Sequence, residues 1–174
     1  MNNILITGQP GVGKTTLIRR LSIIFKEFNP AGFFTSDIIE NGERVGFAIE
    51  NLNGDSRVLA HLNLKSKYSM GKYKIDMKGF EDFLQNIMLK EKKTGLYIID
   101  GIGKLECESK KFSKLIVDLL DADKPLIATV PEKGTGLISE IKKRDDVRIV
   151  ELTHSNHELK LKELTMVIRD LLLE

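Results

Sequence analysis

The fold of this chain is decided by one stretch near its start, Gly8-Gln9-Pro10-Gly11-Val12-Gly13-Lys14-Thr15-Thr16. It contains the complete Walker A pattern, in which two glycines are separated by four residues and followed by lysine and threonine. A short apolar run at residues 4–6 precedes the stretch, and an amphipathic helix pattern follows it. Because glycines allow successive N–H groups to point into one cavity beside the start of a helix, the stretch predicts a phosphate-binding loop.

The residue types in this loop indicate separate roles for its side chains. We expect all nine residues to bind nucleotide, with Lys14 placing its cation on the β- and γ-phosphate oxygens. Thr15 offers a hydroxyl to Mg²⁺, and Thr16 is within reach of the α-phosphate. The glycine spacing does not fit the dinucleotide fingerprint G-x-G-x-x-G, so a dinucleotide site is a poor alternative.

A second, acidic site is predicted where the apolar run at residues 96–99 ends in Asp100. A parallel strand that is buried on both faces would bring Asp100 to the carboxyl edge of the sheet, next to the phosphate-binding loop. There its carboxylate is expected to hold Mg²⁺ through a coordinated water, as is common for this ion. The alternative interpretation is an aspartate that caps the next element.

The residue after Asp100 is Gly101, at a position where many hydrolytic P-loop enzymes have a glutamate that orients the attacking water. The nearest downstream carboxylates are those of Glu106 and Glu108. Two interpretations of Glu106 remain open. It either approaches the γ-phosphate from the loop after the strand or begins the next helix, where the helix dipole favours an acidic residue. Lys14, Asp100 and Glu106 are the predicted catalytic residues. We expect slow turnover rather than none, because positioning and charge stabilisation dominate the barrier to phosphoryl transfer.

The rest of the chain alternates between strand and helix patterns, which predicts a three-layer α/β domain of the P-loop type with a mostly parallel sheet. We expect residues 1–174 to form this single domain. Residues 33–51 depart from the alternation and predict an inserted β-hairpin, because Asn41-Gly42 adopts the positive φ values of a tight turn at low steric cost. Residues 57–62 are expected to add a strand and residues 63–79 to be irregular. Further helices are predicted near 80–88, 112–120, 137–141 and 161–171, and further strands at 96–99, 126–130 and 148–152.

The composition is that of an ordinary globular protein without a strong charge bias. The chain has 174 residues, and its 27 basic and 25 acidic side chains give a net charge of +2. This small excess argues against a dedicated nucleic-acid partner. No apolar run is long enough to span a membrane. The single cysteine, Cys107, excludes a disulfide framework and fits a reducing compartment, so we expect a cytoplasmic protein without membrane or nucleic-acid partners.

The sequence resembles the small nucleoside-triphosphatases first described from thermophiles, a family that includes the cancer-related nucleoside-triphosphatase. The resemblance extends over nearly the whole chain, from the Walker A loop to Asn156. Its more specific parts are Gly32-Phe33-Phe34-Thr35, Arg44-Val45-Gly46-Phe47 and Gly103-Lys104-Leu105-Glu106. The resemblance implies a slow, Mg²⁺-dependent hydrolysis of ATP, GTP and other nucleoside triphosphates to nucleoside diphosphate and phosphate.

The resemblance also implies roles for individual residues. Lys14, Thr15 and Asp100 match the phosphate and metal positions of the family, and Glu106 matches its acidic residue after the glycine-lysine pair. The first departure is Gly101, because the family usually has Asp-Glu at the end of this strand.

A second departure lies near the last helix, where the family often has Asn-Arg-Asp and this chain has Asn156-His157-Glu158. We expect the arginine contact of the family either to be missing here or to be supplied by Arg144 or Arg148.

Two functions other than hydrolysis are consistent with the same loop. A P-loop kinase would transfer the γ-phosphoryl group to a small molecule or nucleoside, and it would need an acceptor pocket. A non-catalytic switch would retain nucleotide and order the hairpin for a protein partner. The five lysines between residues 65 and 78 are interpreted as a solvated loop, with nucleic-acid contact or a nucleobase stacked on Tyr73 as alternatives.

Overall fold

A computed structural model of the chain describes residues 2–89 and 93–174. Within these ranges, nine strands form one sheet: β1 (Asn3–Thr7), β2 (Ala31–Glu40), β3 (Glu43–Asn51), β4 (Ser56–His61), β5 (Ser69–Met70), β6 (Tyr73–Ile75), β7 (Tyr97–Asp100), β8 (Leu126–Thr129) and β9 (Val147–Glu151). The helices of the same ranges are α1 (Lys14–Ile24), α2 (Met77–Leu89), α3 (Lys110–Leu120), α4 (Leu137–Ile141) and α5 (His157–Leu173). Short 3₁₀ turns occur at Lys26–Phe28 and Glu106–Glu108.

The sheet is parallel on one side and antiparallel on the other. In the order β5-β6-β4-β3-β2-β7-β8-β1-β9, the strands from β2 to β9 run parallel and those from β5 to β2 run antiparallel. The predicted α/β fold is confirmed, and β2 and β3 form the predicted hairpin. We call β3, β4, β6 and β5 the antiparallel extension, because they continue the sheet beyond β2.

The expectation that residues 63–79 are irregular is wrong. This segment contains β5, β6 and the start of α2. Strand β6 buries Tyr73 and Ile75 and exposes Lys74 between them, and it pairs with β4. An alternation of three residues is too short to distinguish from a loop by pattern alone. The strand is therefore established by its pairing with β4 on one side and β5 on the other.

Strand β1 explains why helices cover both faces of the sheet. All five of its residues are buried. Ile4 and Ile6 pack with residues of α1 and α5, whereas Leu5 packs with residues of α2, α3 and α4. Because successive side chains of a strand point to opposite faces, a strand that is apolar throughout must be covered on both. Among the described residues, no helix has both the length and the apolar character needed to cross a bilayer.

The parallel strands place the predicted site residues at one edge of the sheet. Strand β1 ends at Thr7, directly before Gly8, and β7 ends at Asp100. Strand β8 lies between β1 and β7 and ends at Thr129. The loops that follow these strands therefore share the carboxyl edge, where open α/β sheets bind their ligands.

Candidate nucleotide-binding site

The loop between β1 and α1 has the backbone conformation that its glycines predict. Gly11 and Gly13 have φ values of +76° and +103°, in a region that other residues rarely adopt. Gly13 precedes the first helical residue, Lys14, and no side-chain hydrogen bond caps this end of α1 among the described residues. The N–H groups of the first helical turn are therefore left for an anion.

The ammonium group of Lys14 lies over this loop. Its Nζ donates to the carbonyl oxygens of Gly8 and Gln9, at 2.6 and 3.1 Å. Burial lowers the pKa of Lys14, and the negative charges of Asp100 and Glu132 act in the opposite direction. A partly desolvated cation held by neutral carbonyls is well placed to bind phosphate oxygens.

The carboxylate of Asp100 is buried, with an exposed fraction of 5%. Its Oδ1 accepts a hydrogen bond of 2.7 Å from the hydroxyl of Thr129, and its Oδ2 has no hydrogen-bond partner within the described residues. Burial raises the pKa of Asp100, whereas the hydroxyls of Thr129 and Thr15 and the positive charges of Arg19 and Lys14 lower it.

The unpartnered Oδ2 of Asp100 indicates that a divalent cation could bind at this position. A buried carboxylate oxygen without a partner is costly unless a ligand satisfies it. The groups that could bind a metal here are the carboxylate of Asp100 and the neighbouring hydroxyl of Thr15. Both offer oxygen atoms, the ligand type that Mg²⁺ prefers. The donor set therefore fits a Mg²⁺ ion at this edge.

Glu106 is also buried, with an exposed fraction of 8%. It opens the 3₁₀ turn that follows β7, whereas α3 starts later, after Ser109, whose hydroxyl accepts a hydrogen bond from the N–H of Phe112. Burial raises the pKa of Glu106 to about 7. The negative charge of Asp100 also raises this pKa, whereas hydrogen bonds from the N–H groups of Glu106 and Gly103 lower it. The side chain is thus a buried carboxyl group near the phosphate-binding edge rather than a solvated residue at the start of α3.

Gly101 leaves no space for the side chain that the family usually has at this position. A Cβ atom built on Gly101 would collide with the hydroxyl of Thr129 and lie 3.1 Å from its carbonyl oxygen. Thr129 is the hydrogen-bond donor to Asp100. The packing between β7 and β8 therefore requires glycine here for as long as Thr129 keeps its contact with Asp100.

The loop between β9 and α5 supports the phosphate-binding loop, a role that the sequence analysis missed. The N–H of Leu152 donates to the carbonyl of Thr7 at 2.8 Å. A Cβ atom on Gly8 would lie 2.6 Å from the carbonyl oxygen of Leu152, and one on Gly13 would lie 3.2 Å from Nε2 of His157. The pairing of β9 with β1 could have indicated this contact, because it places the two following loops side by side.

The residues at the family's Asn-Arg-Asp position take part in the same support. Asn156 accepts a hydrogen bond of 2.8 Å from the N–H of Thr153 and donates one of 3.1 Å to the carbonyl of Glu151. Glu158 forms an ion pair with Arg20 of α1, with an N–O distance of 2.5 Å. The hydrogen bonds of Asn156 fix the conformation of the β9–α5 loop itself. The ion pair links α5 to α1, although an exposed ion pair contributes little to stability.

Neither Arg144 nor Arg148 is in a position to replace the family's arginine, so the alternative that this contact is missing remains. Arg144 pairs with Asp121 and Asp146, at 2.7 and 2.8 Å, close to the amino end of β1. Arg148 lies on β9 opposite Ile4, also away from the carboxyl edge. The charge of Arg19 on α1 does reach Asp100 and lowers its pKa. Pattern analysis missed Arg19, because its position depends on packing over the ring of Phe34, 4.3 Å from the ring centroid.

Tyr73 is not available to stack on a nucleobase. It is 7% exposed, and its ring packs edge-on against Phe47 with the centroids 5.1 Å apart. Its hydroxyl accepts a hydrogen bond of 3.2 Å from Nε of Arg44. Tyr73 is therefore part of the core that holds the antiparallel extension together.

The fold and the site together identify the class to which the protein belongs. A glycine-rich loop between a buried strand and a helix, faced by a carboxylate at the end of a neighbouring parallel strand, is typical of P-loop nucleotide-binding proteins. A family model described as NTPase matches residues 3–165 of the chain. The chain therefore belongs to this nucleoside-triphosphatase family.

Relatives and solved structures agree with this assignment. The nucleoside-triphosphatase THEP1 of Thermotoga petrophila is 39% identical over 167 residues, which cover 95% of this chain and 92% of the relative. The crystal structure of THEP1 from the hyperthermophile Aquifex aeolicus has a TM-score of 0.85 at 29% identity and covers 95% of this chain and 98% of its own. The solution structure of a human cancer-related nucleoside triphosphatase has a TM-score of 0.80 at 27% identity, with 98% of each chain covered. The predicted family and fold are confirmed.

Proposed function

We propose that this protein hydrolyses nucleoside triphosphates to nucleoside diphosphate and phosphate, with Mg²⁺ as its cofactor and broad base specificity. The observation that carries the proposal is the convergence of Lys14, Thr15 and Asp100 at one sheet edge, where a buried oxygen of Asp100 has no partner among the described residues. The relatives support the same activity, since they are named nucleoside-triphosphatases.

The proposed binding roles follow from charge and hydrogen bonding. Lys14 and the N–H groups of the loop bind the phosphate oxygens and offset their negative charge. Thr15 and Asp100 would hold the Mg²⁺ ion, which neutralises phosphate charge when it is bound. The loop residues from Gly8 to Thr16 enclose the phosphates from the side of α1.

Glu106 is the proposed water-orienting residue. Its pKa of about 7 allows its carboxylate to accept a proton near neutral pH. Gly101 provides no carboxylate directly after Asp100, and Glu106 and Glu108 are the nearest downstream carboxylates.

The test is a phosphate-release assay with ATP, GTP, CTP and UTP, with and without Mg²⁺. We expect release from all four nucleotides, at rates that differ by less than about tenfold, or about 1.4 kcal/mol in the activation free energy. Chelation of the metal should abolish release. Tight retention of ATP without turnover over hours would instead favour the non-catalytic switch and contradict the proposed hydrolysis.

Replacing Gly101 with alanine is expected to lower hydrolysis about tenfold at limiting Mg²⁺, the effect of losing one hydrogen bond to a charged group. The new Cβ displaces the Thr129 hydroxyl from Asp100. Titration of the phosphate-release rate with Mg²⁺ measures the effect. Thr129→Val should reproduce it and Thr129→Ser should not, because only serine keeps the hydroxyl. A Gly101→Ala variant with the wild-type Mg²⁺ dependence would show that the contact has no such role.

We also propose a cytoplasmic location. The single cysteine supports it, because free thiols persist in reducing compartments. Burial raises the pKa of Cys107 to about 11, so the thiol stays protonated and unreactive at neutral pH.

A further inference from the structure

Helix α5 carries a row of exposed apolar side chains. Leu159, Met166 and Leu173 are 65%, 69% and 72% exposed, and they are spaced seven residues apart. Seven residues make almost two full turns, so positions seven apart lie within about 20° of one another around a helix. The row therefore runs along the side of α5 opposite its buried residues, over about 21 Å at 1.5 Å per residue.

Charged side chains of opposite sign flank the two sides of this row. At about 100° per residue, Lys162 and Arg169 lie about 40–60° to one side of Met166, and Glu163 and Asp170 lie about 40–60° to the other side. We call the first pair the basic edge and the second pair the acidic edge of α5. An apolar row between charged edges is the arrangement by which helices pair, and the edges decide partner and direction.

Three of these four charges have no partner within the part of the chain that the structure describes. Lys162, Arg169 and Asp170 are exposed there and form neither an ion pair nor a side-chain hydrogen bond. Glu163 does pair with Lys160, at 2.8 Å through Oε2. Its second carboxylate oxygen remains open to another cation. Both edges can therefore bind charges from outside the chain.

The alignment of the row with its edges is the feature that points to a partner. Single exposed leucine or methionine side chains are common on protein surfaces and indicate nothing one by one. Here all three lie in one line, with the positive charges sorted to one side and the negative charges to the other. A surface of this kind carries the complement of its own charge pattern, so it fits a second copy of itself.

The charges also decide the direction in which two copies of α5 would pair. In a parallel pair, the two-fold axis runs along the helices, and the basic edge of each copy meets the acidic edge of the other. Lys162 is then level with Glu163 of the second copy, and Arg169 is level with Asp170. In an antiparallel pair, each edge would meet the same edge of the other copy, and like charges would face one another.

We propose that this face of α5 binds a second copy of the chain and forms a symmetric dimer with the two α5 helices parallel. Leu159, Met166 and Leu173 each contact the same residue of the other copy, and ion pairs between the edges flank the apolar row. One helix per copy gives a contact at the low end of the range for specific interfaces. We therefore expect a dissociation constant on the order of 10 µM.

Sedimentation velocity of the full chain tests the proposal, at about 1 to 500 µM so that the range brackets the expected dissociation constant. The mass should rise towards twice that of one chain. In about 1 M salt the association should weaken, because the Debye length falls to about 3 Å and the ion pairs are screened. A chain that stays monomeric throughout this range would overturn the proposal, and the face would then belong to solvent or to another protein.

Replacing Met166 with glutamate places two carboxylates against each other across the two-fold axis. The dissociation constant should rise at least about a hundredfold. Ile39→Glu is the matched control, since Ile39 is 56% exposed on the hairpin and the change adds the same charge. It should keep the wild-type value within about twofold. Thermal unfolding checks that both variants are folded. A dimer that Met166→Glu leaves intact would place the interface elsewhere and overturn this face.

Charge reversal tests the paired edges separately from the apolar row. Lys162→Glu with Arg169→Glu gives a chain with two acidic edges, and Glu163→Lys with Asp170→Lys gives a chain with two basic edges. Each chain should self-associate at least about tenfold more weakly than the wild type, and an equimolar mixture should form dimers with one chain of each kind. Wild-type self-association of the acidic chain would show that the edges do not pair and would overturn the arrangement.

Cross-linking tests the direction of the helices. Leu159→Cys in a Cys107→Ala background should give a disulfide between two copies on oxidation, since identical positions meet in a parallel pair and a disulfide needs Cα atoms within about 7 Å. In an antiparallel pair, Leu159 would instead lie opposite Leu173, about 21 Å further along the helix. A mixture of Leu159→Cys and Leu173→Cys chains that cross-links mainly between unlike chains would overturn the parallel dimer.

Discussion

Replacing Lys14 with alanine is expected to weaken nucleotide binding about a hundredfold. The ammonium group donates to the carbonyls of Gly8 and Gln9, which holds it over the loop that would receive the phosphates. A hydrogen bond between charged groups contributes about 1.5–3 kcal/mol, and about 1.4 kcal/mol corresponds to a tenfold change in affinity. Losing two such bonds to phosphate oxygens, each at the lower end of this range, gives the expected factor of about a hundred. Calorimetric titration with a non-hydrolysable ATP analogue and Mg²⁺ measures it.

The control removes the same charge without touching the loop. Lys26 is exposed in the 3₁₀ turn that follows α1, and Lys26→Ala should keep the wild-type affinity within about twofold, since an exposed charge far from the ligand is screened by salt. Thermal unfolding of both variants shows whether the folded state is retained. Wild-type affinity in a folded Lys14→Ala variant would contradict the role proposed for the loop.

The nucleotide-binding half of the fold could be predicted because its signals are contiguous. A buried strand, a glycine-rich loop and a helix follow one another from Asn3 to Ile24, and each has a clear local pattern. The same is true of β7, where an apolar run ends in Asp100. Once the strands are known to be parallel, the position of both sites at one edge follows from the topology of the sheet.

The remaining features depend on contacts between segments that are distant in the sequence. His157 lies against Gly13, and Arg19 lies over Phe34, yet nothing in the local pattern around these residues indicates the pairing. The strand β6 is identified by its pairing with β4 and β5 rather than by its own three residues. The pocket beside Glu106 is lined by residues of β2, β3, β4 and β5 together with Thr15 of α1 and the loop after β7. The parts of the site that distinguish this chain from other P-loop proteins are therefore those that required the structure.

Replacing Glu106 with glutamine is expected to lower the hydrolysis rate about a hundredfold, the lower end of the range for a general base. The wild-type protein should also lose activity as the pH falls through about 7, because burial raises the pKa of Glu106 to about that value and the protonated carboxyl group cannot accept a proton. In a plot of kcat/KM against pH, which reports the free enzyme, this appears as an acidic limb near pH 7. The limb should be absent in Glu106→Gln.

Glu108 provides the matched control, since it lies in the same 3₁₀ turn but is exposed. Glu108→Gln should keep both the rate of hydrolysis and the acidic limb.

Unfolding measurements give an independent readout of Glu106. Because the pKa of Glu106 is raised in the folded state, its protonation favours folding below the unfolded pKa of 4.5, and this stabilisation is lost as the pH rises through about 7. Glu106→Gln should remove that pH dependence of the free energy of unfolding. A variant that loses the dependence on pH in stability but hydrolyses ATP at the wild-type rate would show that Glu106 is buried for packing alone, and that another group orients the water.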